Sequence, residues 1–301
     1  MKKFLITCLV FGGLFFLYDK IFLVIRAVAP EHDWETRLYD VFQGKIDHEL
    51  IVIGSSRGGI NVDTKLLEDS LGIETYNLSY GGSEVELHEF ILKSQIESGN
   101  IPKYVIKVLD DDFELIVHEH NEFRVDRLEP LTTIPAVRKK LAEKGYKNEL
   151  AEELFVLHSM YRSHFDLRTP PKPSKEKREY GNELLDKQIP NLDWTFPEHD
   201  DHYDVANETK LEHLLNFQEM CLDNDITLIY TVPPTYKYVN EGWLDRMKEL
   251  MAPESYFYLY DTTDVRFMNK DYFRDRYHLQ RNGASLYTAG LMRYIRDEVI
   301  E

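Results

Sequence analysis

Five short runs, each followed by a stretch of helical spacing, constrain this chain more than any other feature. They are Glu49 to Ile53, Ile73 to Leu78, Tyr104 to Leu109, Ile226 to Val232 and Tyr256 to Tyr260. Short apolar runs bounded by glycine or proline read as strands buried on both faces. Strands that alternate with helices build βαβ units, and such units stack into a parallel sheet. The fold class is therefore α/β, a doubly wound and mainly five-stranded parallel sheet. Ligands of such sheets bind outside the carboxyl ends of the strands.

Helical spacing predicts a helix over Asn61 to Leu71, with Val62, Leu66 and Leu67 on one face. A second carries Leu87, Phe90 and Ile91 and stops at Gly99. Asn207 is placed to cap a helix bearing Leu211, Leu214, Leu215 and Cys221. Further helices are expected over Glu241 to Met251 and from Gly283 to the end, where Tyr287, Leu291, Tyr294 and Ile295 share a face. Between about 113 and 205 the alternation stops. That stretch reads as a helical and irregular insertion at one end of the sheet, with candidate helices at Ile134 to Lys144 and Asn148 to Ser163. The proline- and charge-rich segment 168–178 reads as a linker outside the core. The α/β domain then spans 48–301, behind a connector at 27–47.

The first 26 residues have a different character. Met1-Lys2-Lys3 precedes an uncharged run from Phe4 to Tyr18, then Asp19-Lys20 and the apolar Ile21 to Ile25. At about 1.5 Å per residue this is long enough to cross a bilayer. No A-x-A-like cleavage site follows, and Cys8 comes too early to be a lipoprotein cysteine, so a signal anchor over 1–26 is expected. The lysine pair would hold the N-terminus inside, leaving a single-pass protein of the cytoplasmic membrane with its domain outside the cytoplasm, periplasmic or extracellular.

Charge narrows the partners. The formal net charge is −17, and the N-terminal segment carries an excess of positive charge, so the remainder is more acidic than the whole. Nucleic-acid binding depends on Lys and Arg neutralising phosphates, which excludes it as an expectation here. Two cysteines, Cys8 in the apolar segment and Cys221 in a helix, provide no disulfide framework.

Chemistry concentrates at the carboxyl ends of the strands. Ile53 runs into Gly54-Ser55-Ser56-Arg57-Gly58-Gly59, which makes Ser56 the candidate nucleophile. The Asn77 to Ser83 loop, Asp110-Asp111-Asp112 and Pro233-Pro234 end the next strands. Near the C-terminus lies Asp275-Arg276-Tyr277-His278, where carboxylate and imidazole stand three residues apart and share a turn. A serine needs a base for its proton, and the base needs a carboxylate on its other nitrogen.

Together these blocks resemble the SGNH (GDSL-like) hydrolase superfamily, from about residue 48 to the C-terminus apart from the insertion. Gly54-Ser55-Ser56 stands where that family has Gly-Asp-Ser, Asn77 with Gly81-Gly82-Ser83 looks like its second block, and Asp275-x-x-His278-Leu279 matches its last. The resemblance implies a catalytic Ser56, His278 and Asp275, with the amides of Ser56 and Gly82 in the oxyanion hole. It implies no cofactor and no metal. The anchor and the form of the blocks look most like DltD- and AlgX-like proteins, which work beside membrane-bound O-acyltransferases on cell-envelope polymers. The implied function is an extracytoplasmic serine O-acyl esterase or O-acyltransferase acting on a cell-envelope carbohydrate or similar ester. The implied partners are that acylated substrate, a membrane-bound O-acyltransferase and the membrane.

One block departs from the family. Where an asparagine usually donates to the oxyanion, this chain has Leu109-Asp110-Asp111-Asp112. An ionised carboxylate only accepts, so Asp111 is a poor oxyanion donor. Arg57 is the candidate to pair with one of these aspartates, and Asn77 and Asp110 are candidates for support of the site. The alternative that follows is a catalytically impaired protein that binds a glycan or partners an acyltransferase. A dinucleotide site on the same glycines is disfavoured, because no tyrosine has lysine four residues on and no lysine follows the glycines. His118-Glu119-His120 and His199-Asp200-Asp201-His202 lack the spacing of a helix-borne zinc motif. Trp194, Phe196 and Tyr203 could stack on a sugar or pack the insertion.

Overall fold

The computed structural model describes residues 1–29, 36–115, 123–146, 151, 154–165, 173–195 and 207–300. Two compact units emerge, one of Met1–Phe42 with Arg124–Pro173 and one of Gln43–Phe123 with Ser174–Glu301.

In the first unit, α1 (Lys2–Ile21) continues to Val28 past a turn at Phe22. This apolar stretch is long enough to be a membrane anchor or a signal sequence. Its large side chains are exposed along most of its length, as in a helix apolar all round rather than an amphipathic one. The insertion contributes the helix Pro135–Glu143, begun by a proline whose missing N–H a helix start does not need. A continuous helix over Asn148 to Ser163 does not form. Met160 is extended, with φ −87° and ψ 140°, and separates Val156–Ser159 from a 3₁₀ turn at Arg162–Phe165. The buried His164 takes the Tyr161 amide on Nδ1 at 3.0 Å and is bonded through Nε2 to Thr132 Oγ1 at 3.0 Å. Such local side-chain bonds compete with a helix ladder. Residues 148–150 and 152–153 lie outside the described residues.

The second unit holds the sheet. Leu50–Ile53 (β1), Thr75–Asn77 (β2), Tyr104–Val108 (β3), Thr227–Val232 (β4) and Tyr256–Leu259 (β5) run parallel in the order β2-β1-β3-β4-β5. Ile51 stands opposite Tyr76 on one side and Val105 on the other. The chain leaves β1 for β2, then returns to place β3 on the far side of β1. Right-handed crossovers running in opposite directions put their helices on opposite faces, and the switch falls between the carboxyl ends of β1 and β3. The expected five-stranded parallel α/β sheet is the one observed.

On one face, α2 (Ser56–Asn61) and α3 (Thr64–Leu71) pack with the C-terminal helix Arg281–Tyr294. Leu50, Val52, Ile106 and Ile229 meet Ala284, Tyr287 and Leu291 there. Alternate strand residues such as Ile51, Ile53 and Val105 point to the other face and are equally inaccessible to water. On that side α4 (Val85–Glu97) packs against α5 (Glu208–Asp223). Asn207 caps α5, accepting from the Lys210 amide at 3.1 Å, but Leu215 is exposed rather than part of the buried stripe. After β4 comes α6 (Glu241–Leu250).

Two local expectations change. Of the helix expected over Asn61 to Leu71 only Thr64–Leu71 forms: Asn61 ends α2, and Asp63 caps α3 by accepting from the Leu66 amide at 3.1 Å. The end of the supposed linker is also helical over Lys175–Tyr180: the Ser174 hydroxyl caps its start, Glu176 lies in its first turn and Gly181 ends it with φ 76°. Residues 166–172 lie outside the described residues.

Candidate active site

β1 delivers its carboxyl end into the Ser-Gly turn at close quarters. A Cβ on Gly54 would lie 2.9 Å from both Cβ and O of Val108, so β1 and β3 can approach here only because that side chain is absent. Ser55 caps α2, its Oγ accepting from the Arg57 amide at 3.2 Å and donating to Asp110 Oδ1 at 2.6 Å. Ser56 is thereby the first residue of a helix, and its own N–H belongs to the amides that a helix start leaves without an intrahelical partner.

The candidate base arrives from the other end of the chain. Asp275 Oδ1 accepts from the amides of Tyr277 and His278, both at 2.9 Å, which closes a turn and aims the carboxylate at its neighbour. His278 Nδ1 lies 2.9 Å from both carboxylate oxygens, and Nε2 lies 2.7 Å from Ser56 Oγ. A carboxylate can only accept, so Nδ1 carries the ring proton and Nε2 accepts from the serine hydroxyl. Burial works against the Asp275 charge, yet the hydrogen bonds from the ring and the two amides outweigh it and hold the pKa below the usual carboxylate value.

Asn61 is a positioning residue that sequence reasoning missed. Fully buried at the end of α2, it donates to Tyr277 O at 3.0 Å and accepts from the Leu279 amide at 2.8 Å, so it grips the backbone on both sides of His278.

One carboxylate of the acidic third block is neutralised from within. Arg57, 3% exposed, forms an ion pair with Asp111 and donates to Pro233 O, and Thr235 Oγ1 donates to the same carboxylate. Burial opposes the guanidinium charge, but Asp111 and Asp110 more than restore it. Asp111 adopts φ 52°, a strained backbone for a residue other than glycine. Arg57 thus pairs with one of the three aspartates; the side chain of Asp112 lies outside the described residues.

Below this block sits a buried polar network that was also missed. Lys107, in the middle of the sheet, is paired with Glu114 and lies 3.1 Å from His88 Nδ1. Glu114 Oε2 accepts from the Asp110 amide at 3.0 Å, and His88 Nε2 is bonded to Ser83 Oγ at 2.8 Å. The network therefore joins the loop after β2 to the loop after β3. Burial, followed by the charges of Lys107 and Lys210, pushes the His88 pKa well below its usual value, so His88 is neutral. A lysine inside the apolar run Tyr-Val-Ile-Lys-Val was the available signal.

Loop 79–83 closes the site. A Cβ on Gly81 would lie 3.5 Å from Ser56 Cβ, which puts Gly81 directly beside the serine, and Gly82 follows with φ 69°. Asn77 donates to Gly58 O at 2.9 Å and accepts from the Ser79 amide at 2.9 Å, shaping the turn from within the core. Next to Asp111 a small depression opens among Pro233, Thr235, Trp243 and Tyr260. Trp243 Nε1 and Asn240 Nδ2, from two residues that also line it, are buried donors with no hydrogen-bond partner among the described residues.

The remaining candidates are distributed elsewhere. Trp194 meets Tyr236 edge-on at 4.9 Å, a packing contact within the second unit. Phe196, Tyr203 and both histidine pairs at 118–120 and 199–202 lie outside the described residues. Among the described residues, no group of three or more His, Cys, Asp or Glu is arranged to hold a metal.

No family model and no curated protein matches this chain. Among solved structures it is similar to a candidate acylhydrolase from Bacteroides fragilis at 11% identity and a TM-score of 0.42, over 88% of this chain and 97% of that one. A likeness of that order carries no weight for the chemistry, which rests on the side chains themselves.

Proposed function

We propose that this chain is a serine acyl hydrolase or acyltransferase of SGNH type, with Ser56 as nucleophile, His278 as general base and acid, and Asp275 as its orienting carboxylate. The observation that carries this reading is the continuous relay from Asp275 through His278 to Ser56 Oγ, with contacts of 2.9 and 2.7 Å at a topological switch point. Ser56 Oγ attacks the acyl carbon while its proton passes to His278 Nε2, and the same proton then goes to the leaving alcohol. The imidazolium formed in between faces the Asp275 carboxylate. The developing oxyanion is met by the Ser56 amide and by the glycine loop, for which Gly82 was expected and to which the adjacent Gly81 is added.

The absent family asparagine is answered by the Arg57–Asp111 pair. A carboxylate held by a buried guanidinium presents little net charge to the oxyanion, which lessens the repulsion and leaves the backbone amides as the oxyanion donors. Water as acceptor makes the enzyme an esterase, and a sugar hydroxyl makes it a transferase. On the resemblance of the sequence blocks alone, we extend the proposal to an extracytoplasmic O-acylated carbohydrate substrate and a membrane-bound O-acyltransferase as partner.

A serine-directed fluorophosphonate tests the proposal. The folded protein is expected to label on Ser56, and Ser56→Ala is expected to abolish labelling with its thermal transition unchanged. A well-folded wild-type protein that stays unlabelled would instead favour the impaired, glycan-binding reading.

A further inference from the structure

The first unit shows α1 built into the insertion rather than appended to it. Asp19, fully buried near the end of α1, accepts from the amides of Val156 and Leu157, both at 2.8 Å. These are the first two amides of the helix Val156–Ser159, whose own start has no side-chain cap. A carboxylate 137 residues away thus supplies the cap. Lys20 lies 3.1 Å from Asp19 and donates to Leu154 O at 2.6 Å, and Arg26 Nη1 donates to Ser159 Oγ at 2.9 Å.

The apolar contacts run alongside. Phe155 packs against Phe15 and Phe16 with ring centroids 6.4 Å apart, and Phe165 against Phe22 at 6.3 Å. Leu154, Phe155 and Phe165 nevertheless remain 51%, 38% and 52% exposed, continuous with the exposed apolar surface of α1. From Lys3 to Lys20 the helix rises about 26 Å, close to the thickness of a hydrocarbon core, which sets Lys20 at the membrane boundary. Aromatic rings flanked by snorkelling Lys and Arg at that depth suit the headgroup region.

We propose that segment 154–165 is a membrane-interface element seated in the headgroup and upper acyl region of a lipid bilayer. Asp19 clips it to the end of α1, and α1 is retained in the mature protein because it completes this unit. The proposal does not depend on the hydrolase reading.

The test uses the full-length chain with Cys8→Ser, in vesicles of phosphatidylcholine. A bimane label is placed on cysteine at Phe155 or Phe165, and at Lys139 as an exposed control on the helix Pro135–Glu143. Cys221 is buried with its thiol pKa pushed up to about 12, so it does not compete for label. Lipids carrying a nitroxide near the headgroup are expected to quench the labels at 155 and 165 about two-fold more than the control, with aqueous iodide showing the reverse order. Iodide quenching of 155 and 165 as strong as of 139 would overturn the assignment, and so would protection from both quenchers, which means a covering protein. Asp19→Ala is expected to bring the label at 165 towards the control. Should that variant fail to fold, Asp19→Asn gives a weaker shift in the same direction, and no shift in a folded variant rejects the clip. Intact mass of the membrane-bound protein is expected to include residues 1–28; a shorter mass overturns retention.

Discussion

On the proposed hydrolase reading, Asp275 has one task that its amide cannot perform. In Asp275→Asn the side chain can still bond His278 Nδ1, but it favours the tautomer that leaves Nε2 protonated and unable to accept from Ser56. Turnover of a test ester is expected to fall on the order of 10⁴-fold. The same carboxylate, with its pKa lowered in the folded state, stabilises the protein at neutral pH. That contribution is present above the unfolded carboxylate value of about 4 and is lost as pH falls through the lower folded value. The gap in melting temperature between wild type and Asp275→Asn is therefore expected at pH 7 and closes only in strong acid. Arg57 illustrates the opposite situation, a cation whose removal strands its partner. Arg57→Ala leaves the Asp111 carboxylate buried without its cation and is expected to cost about 3–5 kcal/mol in denaturant unfolding, whereas Arg57→Met with Asp111→Asn recovers most of it.

At the scale of elements, the His88–Lys107–Glu114 network makes stability depend on pH in a second window. His88 on α4 binds its proton far less readily in the folded state than in the unfolded one. The unfolded chain therefore takes up more protons as pH drops below about 6.5, and stability declines with it. His88→Gln is expected to flatten the loss of melting temperature between pH 7 and 5, measured by calorimetry. The strands and most long helices were legible because buried parallel strands and amphipathic helices leave a periodic signature in sequence. The break at Val62 was not, since it depends on Asp63 capping α3 while Asn61 turns away to hold the His278 loop. That Ser56, His278 and Asp275 could meet was legible from their positions at element ends. Asn61 and Lys107 were not legible, because each acts through partners brought near only by the fold.

At the scale of the whole molecule, the triad and the apolar helix belong to separate units: Ser56, Asp275 and His278 in one, α1 and segment 154–165 in the other. A chain lacking residues 1–28 is expected to keep fluorophosphonate labelling at Ser56 while segment 154–165 becomes susceptible to limited proteolysis. Equal protection of that segment in both forms would argue against the Asp19 cap.

The distance along the chain between Ser56 and His278 also has a consequence during synthesis. The contact spans 222 residues, and the Asn61 grip on Tyr277 and Leu279 spans 216 and 218. Contacts of such separation form only after the intervening loop has closed. A nascent chain therefore lacks the Ser56–His278 contact until its C-terminal part has emerged, and on the proposed hydrolase reading any chain ended prematurely before His278 carries an inert serine.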